Sequence, residues 1–324
     1  MFSSFGPSIL HLSGYAPALP TPFRDDGALD LASFEQNCHL QLHAGATALV
    51  VCGTTGEAPT LTRSEQVELM RIAVRAACGR IPVIAGAGSN ATRHAIELTC
   101  DAEAAGADAV LSVVPYYNKP TQAGLYAHFS AIAQATGLPI ILYDVPARTV
   151  CGLADDTIVR LRAETTQFIG LKDATGDITR PQRLRSRLGS GFRLLSGDDP
   201  SALAFLSQGG NGCISVVSNV APGLCQEMYR ACRHGQITRA NGLGQEIARL
   251  SALLFRESNP APVKYALSRL GLMLPGVRLP LVGISTPLKH EIDAVLSELS
   301  ERYGDCLLTQ PRQLIDTAAL AEAC

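Results

Sequence analysis

The feature that most constrains the fold is a regular alternation of short apolar segments with amphipathic ones. From Tyr15 onward the apolar segments begin at intervals of roughly thirty residues, about the length of a strand with its crossover helix. Eight of them occur, at residues 15–19, 48–52, 82–85, 109–113, 139–143, 168–171, 192–196 and 213–217. Because eight alternating strands close a (β/α)8 barrel, the sequence predicts an α/β fold of the TIM-barrel type. The alternative is an open doubly wound sheet, which more often carries about five or six strands.

The strand signal stops after about residue 233. Helical patterns follow at residues 236–256, 262–270 and 287–303, and a weakly amphipathic tail without a readable role begins at Gly304. We therefore predict an N-terminal extension over residues 1–14, a barrel over 15–234, and a C-terminal helical region with its tail over 235–324. Since no low-complexity linker separates these parts, we expect the helical region to pack on the barrel.

Composition excludes several classes of protein. Charged residues make up 17% of the chain and the net charge is −2, without a basic run, so neither nucleic acid nor an anionic membrane is an expected partner. There is no signal-peptide pattern and no apolar run of about eighteen residues, so no membrane span is expected. The ten cysteines are scattered and none is at zinc-site spacing. This usage predicts a cytoplasmic protein.

Lysine is rare and one lysine is placed unusually. Among 27 basic residues only four are lysines, Lys119, Lys172, Lys264 and Lys289, and of these only Lys172 ends an apolar strand segment. Desolvation at such a place lowers the pKa of a lysine below its usual value of about 10.4, which makes the amine nucleophilic near neutral pH. The alternative is a lysine that extends from the strand end into water.

Polar residues follow two further strands, where the catalytic groups of a barrel are found. After the second strand come Thr54 and Thr55, bracketed by glycines in a turn that suits a carboxylate or a phosphate, or that is an ordinary turn before a helix. After the fourth come Tyr116 and Tyr117 between prolines. These phenols face a site or a neighbouring subunit, or else they pack within the loop.

The remaining strand ends supply four more candidates. The fifth strand ends at Tyr143, which can exchange protons with a substrate, and Arg148 follows with a fork suited to a carboxylate or to a structural salt bridge. Gly197 follows the seventh strand and Ile214 lies in the eighth. Both are candidates for a site at the strand ends, or else they are residues that the local turns require.

Two other patterns resemble cofactor sites but lack a necessary part. Residues 86–91 match a dinucleotide-binding fingerprint, but Asp108, the acidic residue about twenty positions further on, precedes a strand instead of ending one. His39 and His43 share a helix face without a third metal ligand near them in sequence.

Taken jointly, these motifs resemble a known family. The chain from about residue 15 to 301 is similar to the dihydrodipicolinate synthase branch of the pyruvate-dependent class I aldolases, the family that also contains N-acetylneuraminate lyase. The motifs that carry the resemblance are Gly53–Glu57, Tyr116–Pro120, Tyr143–Thr149, Gly170–Gly176, Ser196–Asp199 and Ser258–Lys264. The resemblance implies that Lys172 forms a Schiff base with pyruvate, without a metal or another cofactor, and that the product is 4-hydroxy-tetrahydrodipicolinate, an intermediate of lysine and diaminopimelate biosynthesis.

The resemblance also implies roles for the other candidates. Thr54, Tyr143 and Tyr117 correspond to a proton relay, with Tyr117 reaching across from a partner subunit, so that a homodimer or homotetramer is implied. The substrate-binding positions are Thr55 for the carboxylate of pyruvate, Arg148 for that of aspartate semialdehyde, and Gly197 and the Ile214 carbonyl lining the pocket.

The sequence leaves other functions open and differs from the family at several positions. Arg148 favours the synthase, whereas the alternatives are a lyase, aldolase or dehydratase of sugar-acid or hydroxyproline catabolism, and a non-catalytic or nucleotide-binding barrel. Family members inhibited by lysine carry histidine at the position of Gln66 and glutamate at that of His94, so lysine inhibition is expected to be weak or absent. Asp144 replaces the usual asparagine.

Overall fold

A computed structural model describes residues 7–308 and contains one eight-stranded parallel sheet in the order β1-β8-β7-β6-β5-β4-β3-β2. The strands are β1 Gly14–Pro17, β2 Leu49–Val51, β3 Val83–Gly86, β4 Ala109–Val113, β5 Ile140–Asp144, β6 Phe168–Asp173, β7 Arg193–Ser196 and β8 Gly212–Ser215. The first and second strands meet through a parallel bridge between Ala18 and Val50, and Leu19 N donates to Val50 O at 2.9 Å. The predicted (β/α)8 barrel is confirmed.

The helices lie before β1, between consecutive strands and after β8, and those between strands cover the sheet from outside. They are α1 Pro7–Leu10, α2 Leu31–His43, α3 Arg63–Ala77, α4 Thr92–Ala104, α5 Gln122–Gln134, α6 Pro146–Thr149, α7 Asp155–Glu164, α8 Arg180–Leu188, α9 Ala202–Ser207, α10 Pro222–Arg233, α11 Ile237–Leu254, α12 Ala261–Arg269 and α13 Thr286–Tyr303. Local sequence fixes several of the starts. Helix α3, for example, begins with a capping box in which the side chains of Thr62 and Glu65 each accept a backbone N–H of the other residue.

Along each strand, successive side chains point alternately into the barrel and outward to the helices, so the strands contribute to two separate hydrophobic clusters. One set, including Val50, Ile84, Leu111 and Ile141, fills the barrel interior. The intervening residues pack outward against the helices. Because the interior is filled by apolar side chains, a polar side chain that points inward finds space only at the rim of the barrel.

The sixth strand contains an irregularity that bears on Lys172. Pairing between β5 and β6 runs from Ile140 opposite Phe168 to Ile141 opposite Gly170, so Ile169 is the extra residue of a bulge. Ile169 lies in the interior cluster, Leu171 in the outer one, and Lys172 therefore points inward. The strand extends through Asp173, two residues beyond the predicted end.

The C-terminal helices form a third apolar cluster with α10 and the β8 end of the barrel. Leu250, Val263 and Ile292 from α11, α12 and α13 are fully or almost fully buried in it. Within residues 7–308, none of the helices has the length and apolar character needed to cross a membrane. The three C-terminal helices lie where the sequence predicted them, whereas most of the tail after Gly304 lies outside the described residues.

Candidate active site

Lys172 and Tyr143 meet inside the rim formed by the carboxyl ends of β5 and β6. The two residues are direct partners in the sheet, and the Lys172 Nζ atom lies 4.3 Å from the centroid of the Tyr143 ring. Their exposed fractions are only 6% and 7%. The amine is therefore not extended into water, and a phenol lies within reach of anything bound to it.

Gly197 makes room for the lysine side chain. A Cβ atom at this position would lie 2.9 Å from Lys172 Cε and 3.1 Å from its Cγ. The backbone of Gly197 is fixed by its N–H, which donates to the carbonyl of Asp173 at 2.7 Å. Glycine directly after β7 thus leaves space for the side chain of Lys172.

The turn after β2 presents the paired threonines. Thr55 is 3% exposed, whereas Thr54 is partly exposed. The turn is tight, since Cys52 and Glu57 have φ angles of 56° and 54°, and Gly56 approaches the backbone of Cys52 so closely that a Cβ would lie 3.2 Å from it. This conformation keeps the two threonines at the carboxyl end of β2.

The same turn is tied to the C-terminal helices by two buried contacts. Asn259 Nδ2 donates to Thr55 Oγ1 at 3.0 Å, and Lys264 Nζ donates to Glu57 Oε1 at 2.8 Å. Both side chains of the Lys264–Glu57 pair are 0% exposed, and Glu57 Oε2 also accepts the N–H of Arg278. Sequence reasoning assigned no role to Asn259, Lys264 or Glu57, although all three lie in the motifs that carry the family resemblance.

Two of the predicted site residues are solvent-exposed in the single chain. Tyr117 is 88% exposed and has a φ of 73°. Arg148 is exposed in the short helix α6. Ile214, by contrast, is buried in the barrel interior on β8.

A buried ionic network lies behind Tyr143 and Lys172. Their strand neighbours Asp144 and Asp173 share Arg180, whose Nη1 is 2.8 Å from Asp144 Oδ2 and 3.5 Å from Asp173 Oδ2. Burial raises the pKa of Asp144, and the charge of Arg180 opposes that rise. Arg180 also donates to the carbonyl of Leu153, and Leu153 N donates to Asp144 Oδ2. The network therefore anchors the far end of the loop that carries Arg148.

A second buried carboxylate supports the end of β8. Asp199 accepts hydrogen bonds from Ser215 Oγ at 2.5 Å and from the N–H groups of Val216 and Val217 at 2.9 and 3.1 Å. Burial raises its pKa, while these donors lower it. Asp199 thereby fixes the backbone that follows Ile214.

The glycine-rich segment after β3 and the histidine pair of α2 both have roles in packing and hydrogen bonding. A Cβ on Gly88 would lie 2.4 Å from the backbone N of Val113, so glycine is needed here for the close approach to β4. His43 Nδ1 lies 2.7 Å from the carbonyl of His39. Among the described residues, no group of three or more His, Cys, Asp or Glu side chains could hold a metal ion.

Comparisons with known proteins agree on one family. Residues 11–299 match the model of the dihydrodipicolinate synthetase family. Proteins named 4-hydroxy-tetrahydrodipicolinate synthase are similar: one from Methylobacterium radiotolerans is 50% identical over 88% of this chain and 95% of its own length, and one from Thiobacillus denitrificans is 52% identical over 86% and 94%.

Solved structures give the same result. Dihydrodipicolinate synthase from Aquifex aeolicus superposes with a TM-score of 0.86 at 40% identity, covering 91% of this chain and 99% of that one. The chloride-inhibited synthase from Acinetobacter baumannii, complexed with pyruvate, has a TM-score of 0.85 at 44% identity and covers 88% and 98%.

Proposed function

This chain belongs to the dihydrodipicolinate synthetase family, and we propose that its Lys172 forms the Schiff base through which the reaction of that family proceeds. The enzyme condenses pyruvate with aspartate semialdehyde to 4-hydroxy-tetrahydrodipicolinate, a step of lysine biosynthesis. The observation that carries the role of Lys172 is its position: a buried amine at the barrel rim, 4.3 Å from the ring of Tyr143.

The proposed reaction begins at the amine of Lys172. This amine adds to the ketone of pyruvate and water leaves, which gives an imine whose protonated nitrogen withdraws electrons. Loss of a methyl proton yields an enamine, and its carbon attacks the aldehyde of the second substrate, whose oxygen becomes the 4-hydroxyl group. The amine of that substrate then attacks the imine carbon, closes the ring and releases Lys172. One water is formed overall.

These steps require a group that can accept and return protons. We assign this role to the phenol of Tyr143, which lies beside the amine, with Thr54 and Tyr117 as its relay partners. Tyr117 is 88% exposed within one chain. Its role in the relay thus depends on a second subunit, and we propose at least a homodimer.

The two carboxylates of the substrates need separate binding groups. Thr55, buried at the rim, supplies a hydroxyl and a backbone N–H for the carboxylate of pyruvate, with Gly197 and the Ile214 carbonyl lining the pocket. Arg148 is exposed and free to receive the carboxylate of aspartate semialdehyde at the mouth. The family uses a covalent Schiff base instead of a metal cofactor. A cytoplasmic location stays a prediction, which rests on the scattered cysteines.

A substrate comparison tests this function. Purified protein is given pyruvate with aspartate semialdehyde, and in parallel sugar acids and a hydroxyproline-derived acid without pyruvate. We expect consumption of pyruvate and the aldehyde in the first reaction and no pyruvate release in the others. Release of pyruvate from a sugar acid, without condensation, would contradict the assignment. Lys172→Ala and the matched change Lys289→Ala, on α13, should respectively abolish and preserve turnover.

A further inference from the structure

We propose that Asn259, from the C-terminal helical region, is a positioning residue that orients the hydroxyl of Thr55 as a hydrogen-bond donor toward the carboxylate of the keto-acid substrate. This inference rests on the function proposed above, in which Thr55 holds pyruvate. It extends that function by assigning part of the pyruvate site to a residue 204 positions away in sequence.

The direction of one hydrogen bond carries the inference. Asn259 Nδ2 is the donor and Thr55 Oγ1 the acceptor, at 3.0 Å, and the two residues are only 6% and 3% exposed. A hydroxyl has one hydrogen to donate and two lone pairs that accept. Because the amide already occupies a lone pair of Thr55, the hydroxyl hydrogen remains available for a different acceptor. A substrate carboxylate can only accept hydrogen bonds, so it needs a hydroxyl in this state.

Other contacts hold the backbone next to Asn259 and the turn that carries Thr55. Asn259 lies two residues before the start of α12, whose cap residue Pro260 accepts the N–H of Lys264 at 3.0 Å. Two residues beyond Thr55, the buried pair of Lys264 and Glu57 connects the same helix to the same turn. The turn is therefore braced independently of Asn259, so the loss of its amide should change the polarity at Thr55 more than the position of the turn.

Two substitutions separate polarity from bracing. Asn259→Asp keeps the shape of the side chain but replaces a donor by an acceptor. The Thr55 hydroxyl would then donate to Asp and could no longer donate to the substrate, and the new negative charge would also repel the carboxylate of the substrate. Asn259→Ala removes the donor and leaves the hydroxyl free to rotate. We expect the apparent Kd for pyruvate to rise about 100-fold in the Asp variant and about threefold to tenfold in the Ala variant. The KM for aspartate semialdehyde should stay unchanged.

The apparent Kd is measured from the pyruvate concentration dependence of borohydride trapping, and folding is checked by circular dichroism. If Asn259 only braced the turn, the isosteric Asp variant would be the milder of the two, and both substrates would bind more weakly. That order, or an unchanged Kd in both variants, would overturn the inference.

A double-mutant cycle keeps the test decisive if the Asp variant does not fold. In a Thr55→Val background, Asn259→Ala should have no further effect on the apparent Kd for pyruvate, because no hydroxyl is left to orient. Independent effects of the two substitutions would contradict the proposal. If borohydride trapped no pyruvate on the wild-type protein, the proposed function itself would be refuted, and with it the proposed role of Asn259.

Discussion

Replacing Lys264 by Met should destabilise the protein strongly, because it leaves the carboxylate of Glu57 buried without its charge partner. Both side chains are 0% exposed and their charged atoms are 2.8 Å apart. With an effective dielectric constant of about 20, Coulomb's law gives an attraction of about 6 kcal/mol at that distance. Part of this loss is offset, because the apolar side chain of Met fills the space and because a buried ammonium no longer has to be desolvated. We therefore expect a decrease of about 3–5 kcal/mol in the free energy of unfolding.

The assay is equilibrium unfolding in urea, followed by circular dichroism at one fixed protein concentration. The matched control is Lys289→Met on the neighbouring helix α13, where the ammonium lies 5.7 Å from the ring of Tyr265. Such a partly exposed contact is worth about 0.5–1 kcal/mol. The two substitutions are chemically identical, so the difference between them isolates the buried ion pair.

A second variant distinguishes charge from packing. In the double variant Lys264→Met with Glu57→Gln, the buried charge is gone, and the amide oxygen of Gln can still accept the N–H of Arg278, which donates to Glu57 Oε2 at 3.0 Å in the native protein. We expect the double variant to be more stable than Lys264→Met alone. The reasoning would be refuted if Lys264→Met cost no more than the Lys289 control, or if the second substitution added to the damage.

Three further outcomes are expected. Arg148→Ala should raise the KM for aspartate semialdehyde about 10–100-fold, because a charge-assisted hydrogen bond to its carboxylate is lost, and should leave the KM for pyruvate unchanged. Steady-state kinetics measures both values, and equal effects on the two substrates would contradict the role of Arg148. Free lysine should inhibit weakly or not at all, because Gln66 is buried and donates to the carbonyl of Ala58, and because position 94 is a histidine, which has no carboxylate to pair with an ammonium. Inhibition at sub-millimolar concentration would disprove this. Burial lowers the pKa of His128 to about 4, below its unfolded value of about 6.5, so its contribution to stability should be complete above pH 6.5 and decline as the pH falls toward 4. In His128→Gln, the midpoint of urea unfolding should therefore depend less on pH between 4 and 6.5. The same pH dependence in the variant and the native protein would refute the assignment.

The barrel and the place of Lys172 at the end of an apolar strand segment could be predicted because both leave local signals. A strand followed by a helix repeats in the pattern of apolar residues, and the structure has its strands close to the predicted positions. Lys172 was identifiable since lysine is rare in this chain and only this one ends an apolar segment. The bulge at Ile169 was not predictable, because it depends on pairing with β5, and it is what directs Lys172 inward.

Contacts between residues far apart in sequence could not be predicted. Asn259 with Thr55 and Lys264 with Glu57 are separated by 204 and 207 positions, and no periodic pattern indicates that α12 packs beside the turn after β2. The departure at Asp144 was visible in the sequence, but its partner Arg180, 36 positions away, was not. Such residues contact the proposed site residues or their neighbours, and they become recognisable only once the chain is folded.

Trapping of the enzyme with pyruvate and borohydride tests the role of Lys172 most directly. Since the chain has only four lysines, peptide mapping by mass spectrometry assigns the adduct without ambiguity. We predict a reduced pyruvate adduct on Lys172 alone and none on Lys119, Lys264 or Lys289, with no adduct and no turnover in the folded Lys172→Ala variant. An adduct on another lysine, or full turnover in Lys172→Ala, would contradict the proposed mechanism.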